Sequence, residues 1–272
     1  MNDQSPIPAD KERRLRQIIR EAAEQEDSGR VIIGFSGGVD SSLLLWETVQ
    51  ALGPADVTAV TATSPTSAPQ EEHCAREFAC ALGVEHLVIP SGELDDPAFT
   101  NNSNNRCYVC KRNRYGMLKD LAKRSGGAVI FDGSQSDDDP ADRPGMRAVT
   151  ELHIMTPLAE AGIGKQDVRD LLQSAGYHEL SEKSAQPCLA TRIPSGTPIT
   201  LEALEIIHRG ELFIKECGLV FVRLRHHYPM ARIVTDRAGI YLVLGRHELR
   251  QRISKGLKLL GYDYVTLDLE EY

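Results

Sequence analysis

The chain has no apolar run approaching the ~20 residues needed to cross a bilayer, so no membrane partner is expected. Residues 1–27 are polar and charged, unlike the apolar core of a secretion signal, which points to a cytoplasmic protein. Positive charge is not in excess. Lys and Arg number 31 against 39 Asp and Glu, a net charge of -8. Surfaces that hold nucleic acid are normally basic, so no nucleic-acid partner is expected. Cysteine is sparse, six in 272 residues, and without a secretion signal these read as reduced thiols. A structural zinc site needs four ligands, and neither a second Cys-x-x-Cys nor a spaced His pair accompanies Cys107 and Cys110. Finally, no Gly-Lys-Ser/Thr follows a glycine-rich loop at the Walker A spacing, which excludes the commonest phosphate loop.

What the chain does have is Gly34-Phe35-Ser36-Gly37-Gly38-Val39-Asp40-Ser41-Ser42. Val31-Ile32-Ile33 before it is β-branched and reads as a buried strand. Leu43 to Leu52 after it reads as a helix closed by Gly53-Pro54. A Gly/Ser turn between strand and helix can aim successive backbone N–H groups at one anion, and the helix N-terminus adds positive potential. Ser36, Ser41 and Ser42 add hydroxyl donors. Asp40 would repel a bare phosphate, so it either caps the turn or holds Mg²⁺ together with the phosphate.

Around this loop the pattern alternates strand and helix. Lys11–Glu26 spaces its apolar residues as an amphipathic helix. Strands are expected at Val57–Ala62, His86–Ile89, Ala128–Phe131 and His153–Leu158, with helices at Gln70–Leu82, Lys111–Lys123 and Lys165–Ser174. Alternation of this kind implies a parallel, doubly wound α/β sheet, here over residues 10–180, with ligands beyond the carboxyl ends of the strands. Ala62 and the loop after it then face the nucleotide. So does the turn at Asp132-Gly133, where Asp137 and Asp138 are candidate Mg²⁺ ligands and Arg143 and Arg147 candidate partners of phosphate or carboxylate. The Asn-rich stretch 95–105 is long enough to suggest a functional loop. Cys107 and Cys110 could bind metal or form a redox pair, or simply begin a helix; Cys74 and Cys80 read as small packers.

Residues 181–199 cannot form a regular helix, given three prolines and Gly196. Cys188 lies there with Lys183 and Arg192 nearby in sequence, and neighbouring cations raise the thiolate fraction of a cysteine. Residues 200–272 read as a smaller α+β domain: a helix from a Thr200 cap to Cys217, strands at Val220–His226, Ala231–Thr235 and Ile240–Leu244, a helix over His247–Leu260 and a last strand at Tyr264–Asp268. Arg223 and Arg225 share one strand face by the period of two and could form an anion site or merely be exposed. His226-His227 could bind metal or be a solvated pair.

Ser36-Gly37-Gly38-Val39-Asp40-Ser41-Ser42 resembles the pyrophosphate loop of the PP-loop ATPases, which cleave ATP between the α and β phosphates and adenylate a substrate. Together with Arg106-Cys107-Tyr108-x-Cys110-Lys111, Asp132-Gly133, Arg143-Pro144-Gly145 and Pro187-Cys188-Leu189-Ala190-x-Arg192-Ile193-Pro194, the chain resembles the LarE family over nearly its whole length. The resemblance implies an ATP- and Mg²⁺-dependent sacrificial sulfur transferase of nickel-pincer nucleotide synthesis. It implies nucleotide and substrate contacts from Gly34, Ser36, Gly37, Gly38, Val39, Asp40, Ser41, Ser42, Ala62, Gly133, Asp137, Arg143, Arg192, Arg223 and Arg225, and metal at Asp40, Asp137 and Asp138. Cys188 would attack the adenylated carboxylate of a pyridinium dicarboxylate nucleotide and end as dehydroalanine. Some relatives carry an iron–sulfur cluster on additional cysteines; only Cys188 lies in this segment, so the sacrificial version is expected. A homo-oligomer, a hexamer, is implied as well. The sequence departs from the family at Val234, where an acid is usual, and at Ser184, where proline is common. Two other readings stay open: an amide-forming or tRNA-thiolating PP-loop enzyme with an external donor, and a nucleotide-binding module without chemistry.

Overall fold

The β-branched triplet Val31-Ile32-Ile33 lies at the centre of the first of two compact units. The computed structural model describes residues 9–67, 69–139, 144–184 and 187–271. Unit one comprises residues up to 64, 69–93 and 105–186; unit two comprises 65–68, 94–104 and 187–272.

In unit one, α1 (Ala9–Glu24), β1 (Val31–Gly34), α2 (Val39–Leu52), β2 (Val57–Thr63), α3 (Pro69–Ala81) and β3 (Glu85–Pro90) follow in order. The short α4 (Pro97–Thr100) belongs to unit two. Then come α5 (Arg106–Arg124), β4 (Val129–Phe131), α6 (Gly145–Glu151), α7 (Pro157–Glu160), α8 (Lys165–Ser174) and α9 (His178–Glu182). The four strands pair in the order β3-β2-β1-β4, all parallel. This is the expected doubly wound α/β sheet. Both faces are covered because β1 alternates: Val31 and Ile33 enter the core built with α1, α2 and α8, while Ile32 enters the core of Tyr115, Leu118 and Val149 on the other side. The two neighbours of β1 are reached by chain running in opposite directions across the sheet, so a crevice opens at its carboxyl end.

Unit two holds α10 (Leu201–Glu216), β5 (Val222–His227), β6 (Met230–Thr235), α11 (Arg237–Gly245), α12 (His247–Leu259) and β7 (Tyr264–Leu267). β5 and β6 are antiparallel, β6 and β7 parallel. Thr200 caps α10 as expected, its Oγ1 accepting from Ala203 N at 3.1 Å.

Three expectations need correcting. Ile240–Leu244 is not a strand but the body of α11. Asp236 accepts from Gly239 N at 2.8 Å and starts a helix there, and an apolar run of five cannot by itself distinguish helix from strand. The second unit is therefore α-β-β-α-α-β. His153–Leu158 contributes only one bridge, Met155 to Phe131, because Pro157 opens α7. The helix expected from Lys111 begins at Arg106, which puts Cys107 and Cys110 inside its first turns.

Candidate functional site

At the end of β1 the loop turns on Gly37, whose φ is +69°. A side chain there would be strained, and a Cβ would also lie 3.0 Å from the Ala75 Cβ of α3. The serines tie the turn to the helix start. Ser36 Oγ lies 3.1 Å from Ser41 Oγ, Gly38 N donates to Ser36 Oγ at 3.3 Å and Ser41 Oγ to Gly38 O at 3.2 Å. Gly38 at the N-cap of α2 has no side-chain cap, so the first amides of the helix remain for an anion. Ser42 is 1% exposed, and its Oγ has no hydrogen-bond partner among the described residues. Behind the loop, Thr61 Oγ1 donates to Phe35 O at 2.7 Å and lies 2.8 Å from His86 Nε2.

Gly133 brings the next loop against this one. A Cβ on it would stand 3.1 Å from both N and Cα of Ser41, an approach only glycine permits. Its neighbour Asp132 is buried, and burial would raise its pKa. Lys111, whose Nζ is 2.9 Å away, and donors on Ser134 and Tyr115 overcome that and hold the carboxyl below its usual value. Asp132 is thus a fixed anion that orients Lys111.

A cavity of about 210 Å³ opens on the loop, with Ser36, Gly38, Val39 and Asp40 on one side and Glu71, Lys165, Arg169, Lys183 and Ser184 around it. The three cations of this wall were not singled out for the nucleotide by the sequence. Lys165 and Arg169 belong to α8 and Lys183 to the strand-free segment after α9. The only local signal was Gly164 opening a helix with Lys165.

The remaining candidates divide. Ala62 sits near the carboxyl end of β2, half-buried, and is not among the residues lining the cavity. Gly34 ends β1 and packs on Tyr115: a Cβ would be 2.9 Å from the Tyr115 hydroxyl. Asp137 Oδ2 accepts from Lys165 N at 2.6 Å, at the start of α8. Asp138 is engaged within its own turn, with Gln135 N at 3.3 Å and Gln135 Nε2 at 3.2 Å. Among the described residues no three His, Cys, Asp or Glu side chains gather as a metal cage; Mg²⁺ is commonly bound by one or two carboxylates plus phosphate, and Asp40 lines the cavity with a carboxylate of that kind. Arg143 lies outside the described residues. Arg147 stacks 3.7 Å above the Tyr108 ring and reaches Glu151 at 3.4 Å.

In unit two, Cys188 precedes a 3₁₀ turn, Leu189–Arg192, and is a half-buried thiol outside any disulfide. Its backbone is held firmly. The Cys188 carbonyl accepts from Thr191 N at 2.9 Å, Thr191 Oγ1 at 2.8 Å and Arg192 Nη1 at 3.3 Å. Leu189 N donates to Thr66 O at 2.8 Å. Arg192 is 3% exposed, and its Nε meets Glu211 Oε1 at 2.8 Å. That Glu211 oxygen also accepts from Leu224 N at 3.0 Å, locking the cysteine turn to α10 and β5. Arg225 Nη1 donates to Thr191 O at 2.6 Å, so Cys188, Arg192 and Arg225 are brought together. Arg223 is buried beside the Phe221 ring. Val234 is buried in β6 opposite Arg223. Of the two cations near Cys188 in sequence, Arg192 pairs with Glu211 and Lys183 donates to Gly37 O at 2.9 Å. The Asn-rich stretch supports this segment: Asn102 Nδ2 donates to Pro194 O and Thr197 O, both at 2.8 Å, and Gly196 N to Asn102 O at 2.9 Å.

An NAD synthase family model matches residues 12–135, the part of the chain that holds the loop. A protein of Synechocystis sp. described as uncharacterized is 36% identical over 89% of this chain and 90% of its own. The pyridinium-3,5-bisthiocarboxylic acid mononucleotide synthase of Lactiplantibacillus plantarum is 34% identical over 91% of this chain and 88% of its own. A Methanocaldococcus jannaschii protein described as uncharacterized is 27% identical over 96% and 97% respectively. The likeness to the synthase runs through both units, from the phosphate loop to beyond the cysteine turn, and on that likeness the chain belongs to the LarE family of PP-loop enzymes.

Proposed function

We propose that this chain uses ATP to adenylate a carboxylate of pyridinium-3,5-biscarboxylic acid mononucleotide and supplies sulfur from Cys188. The observation that carries the reading is the cysteine turn: a thiol on a backbone fixed by three donors to its own carbonyl, in a chain whose other unit presents an uncapped, serine-lined helix start to an anion.

In the first step a substrate carboxylate oxygen bonds to the α-phosphorus of ATP. The bond from that phosphorus to the bridging oxygen breaks, and pyrophosphate leaves with the electron pair. The amides at the start of α2, with Ser36, Ser41 and Ser42, hold the departing phosphates, and Lys165 balances their charge. Asp40 and Asp137 are the residues that would hold Mg²⁺, which when bound neutralises phosphate charge. In the second step the Cys188 sulfur attacks the acyl carbon and AMP leaves. The Cα proton of residue 188 then goes to solvent, the Cβ–S bond breaks with its electrons on sulfur, and a thiocarboxylate departs from dehydroalanine. Arg225 and Arg223 are the cations of unit two suited to the phosphate of the substrate.

The test of this reading is Cys188→Ala, assayed for pyrophosphate and thiocarboxylate together. Pyrophosphate release persists and thiocarboxylate is absent if Cys188 is the sulfur source. Thiocarboxylate formed by the variant would overturn it.

A further inference from the structure

The phosphate loop already holds a cation by its backbone. Lys183 Nζ donates to the carbonyl of Gly37 at 2.9 Å, across 146 residues of chain. The lysine is aimed by Arg169 of α8, which donates through Nη1 to Ser181 O and through Nη2 to Lys183 O at 3.3 Å. Both side chains line the cavity on the loop. These bonds all end on neutral backbone carbonyls. A phosphate oxygen is a stronger acceptor for an ammonium than a carbonyl, because both partners are then charged. An anion bound by the α2 amides would therefore compete with Gly37 for Lys183.

We infer that Lys183 is a ligand of the outer phosphates of the nucleotide, exchanging the Gly37 carbonyl for the pyrophosphate group when the cavity fills, and that Arg169 is the positioning residue that holds Lys183 for this exchange. The inference deepens the proposed ATP chemistry and rests on it. When pyrophosphate leaves, the ammonium returns to Gly37.

The test is calorimetric titration of the full chain with inorganic pyrophosphate, and with adenosine as a ligand without phosphate. Lys183→Gln should weaken pyrophosphate about tenfold or more, the worth of one charge-assisted hydrogen bond, and leave adenosine unchanged. Lys183→Arg should recover most of the pyrophosphate affinity. Arg169→Gln should give a smaller loss of the same kind and raise the KM for ATP more than it lowers kcat. A Lys183→Gln protein that binds pyrophosphate within twofold of the native chain would overturn the inference. So would equal losses for pyrophosphate and adenosine, the mark of a merely structural lysine. A native chain whose pyrophosphate binding depends on Lys183, but which forms no pyrophosphate from ATP with the pyridinium dicarboxylate nucleotide, would uphold the inference and remove the substrate assignment instead.

Discussion

The phosphate loop and the cysteine turn treat their most buried polar groups differently. Around the loop, Arg169 and Lys183 rest on backbone carbonyls, the helix start has no side-chain cap, and a buried serine hydroxyl has no partner among the described residues. At the cysteine turn the buried Arg192 is already matched, while Arg225 rests on the Thr191 carbonyl. Arg192 is paired with Glu211, and both are nearly inaccessible. The difference separates two tasks. A site that must receive a highly charged ligand keeps donors in reserve for it. A site that must present one sulfur atom gains from a backbone that does not move.

That contrast can be tested by breaking each side. The largest effect on stability should come from Glu211→Ala. It leaves the Arg192 guanidinium buried without its carboxylate and Leu224 N without its acceptor, which costs about 3–5 kcal/mol. Urea unfolding should show it, with pyrophosphate affinity little changed. Gly37→Val should do the reverse. Positive φ and contact with Ala75 together cost about 3 kcal/mol, and because the strain sits in the anion loop it should appear as a roughly 100-fold loss of ATP affinity. A Gly37→Val protein that binds ATP normally would show that the loop is not the phosphate site.

A subtler effect concerns the helix that follows the loop. Glu47 of α2 is fully buried, and its Oε2 accepts from Arg16 Nε at 2.7 Å. Burial raises its pKa from 4.5 to about 7, with Arg16 opposing the rise. A folded pKa above the unfolded one means that the contribution of Glu47 is most favourable below pH 4.5 and is lost as pH climbs to about 7. The stability of Glu47→Gln relative to the native chain should therefore rise across that window, by on the order of 3 kcal/mol. Parallel thermal melts at several pH values would check it, and a pH-independent difference would contradict it.

How much of this was readable from residues follows the range of the interactions. The loop was legible because its signal is local: a β-branched strand, two glycines, serines and a helix, all within about a dozen positions. The parallel sheet was legible for the same reason. The other wall of the cavity was not. Lys165, Arg169 and Lys183 meet Ser36 and Asp40 only through the winding of the sheet, and nothing in their neighbours marks them. Carboxylates could be found but not their contacts: Asp137 accepts from Lys165 N at the start of α8, and Asp138 bonds Gln135 within its own turn. Cys188 stood out in a proline-rich segment. The partner of its neighbour Arg192 was not legible, because it is a helical glutamate 19 residues later. Ile240–Leu244 misled because five apolar residues fit either period, and the Asp236 cap decided for a helix.

The central claim is that the sulfur comes from the protein itself, and intact-protein mass after incubation with ATP, Mg²⁺ and the pyridinium dicarboxylate nucleotide tests it most directly. The account predicts the loss of one H₂S from the chain, mapped by peptide analysis to Cys188. An unchanged protein mass alongside AMP, pyrophosphate and a thiocarboxylate product would contradict it and place the sulfur source outside Cys188.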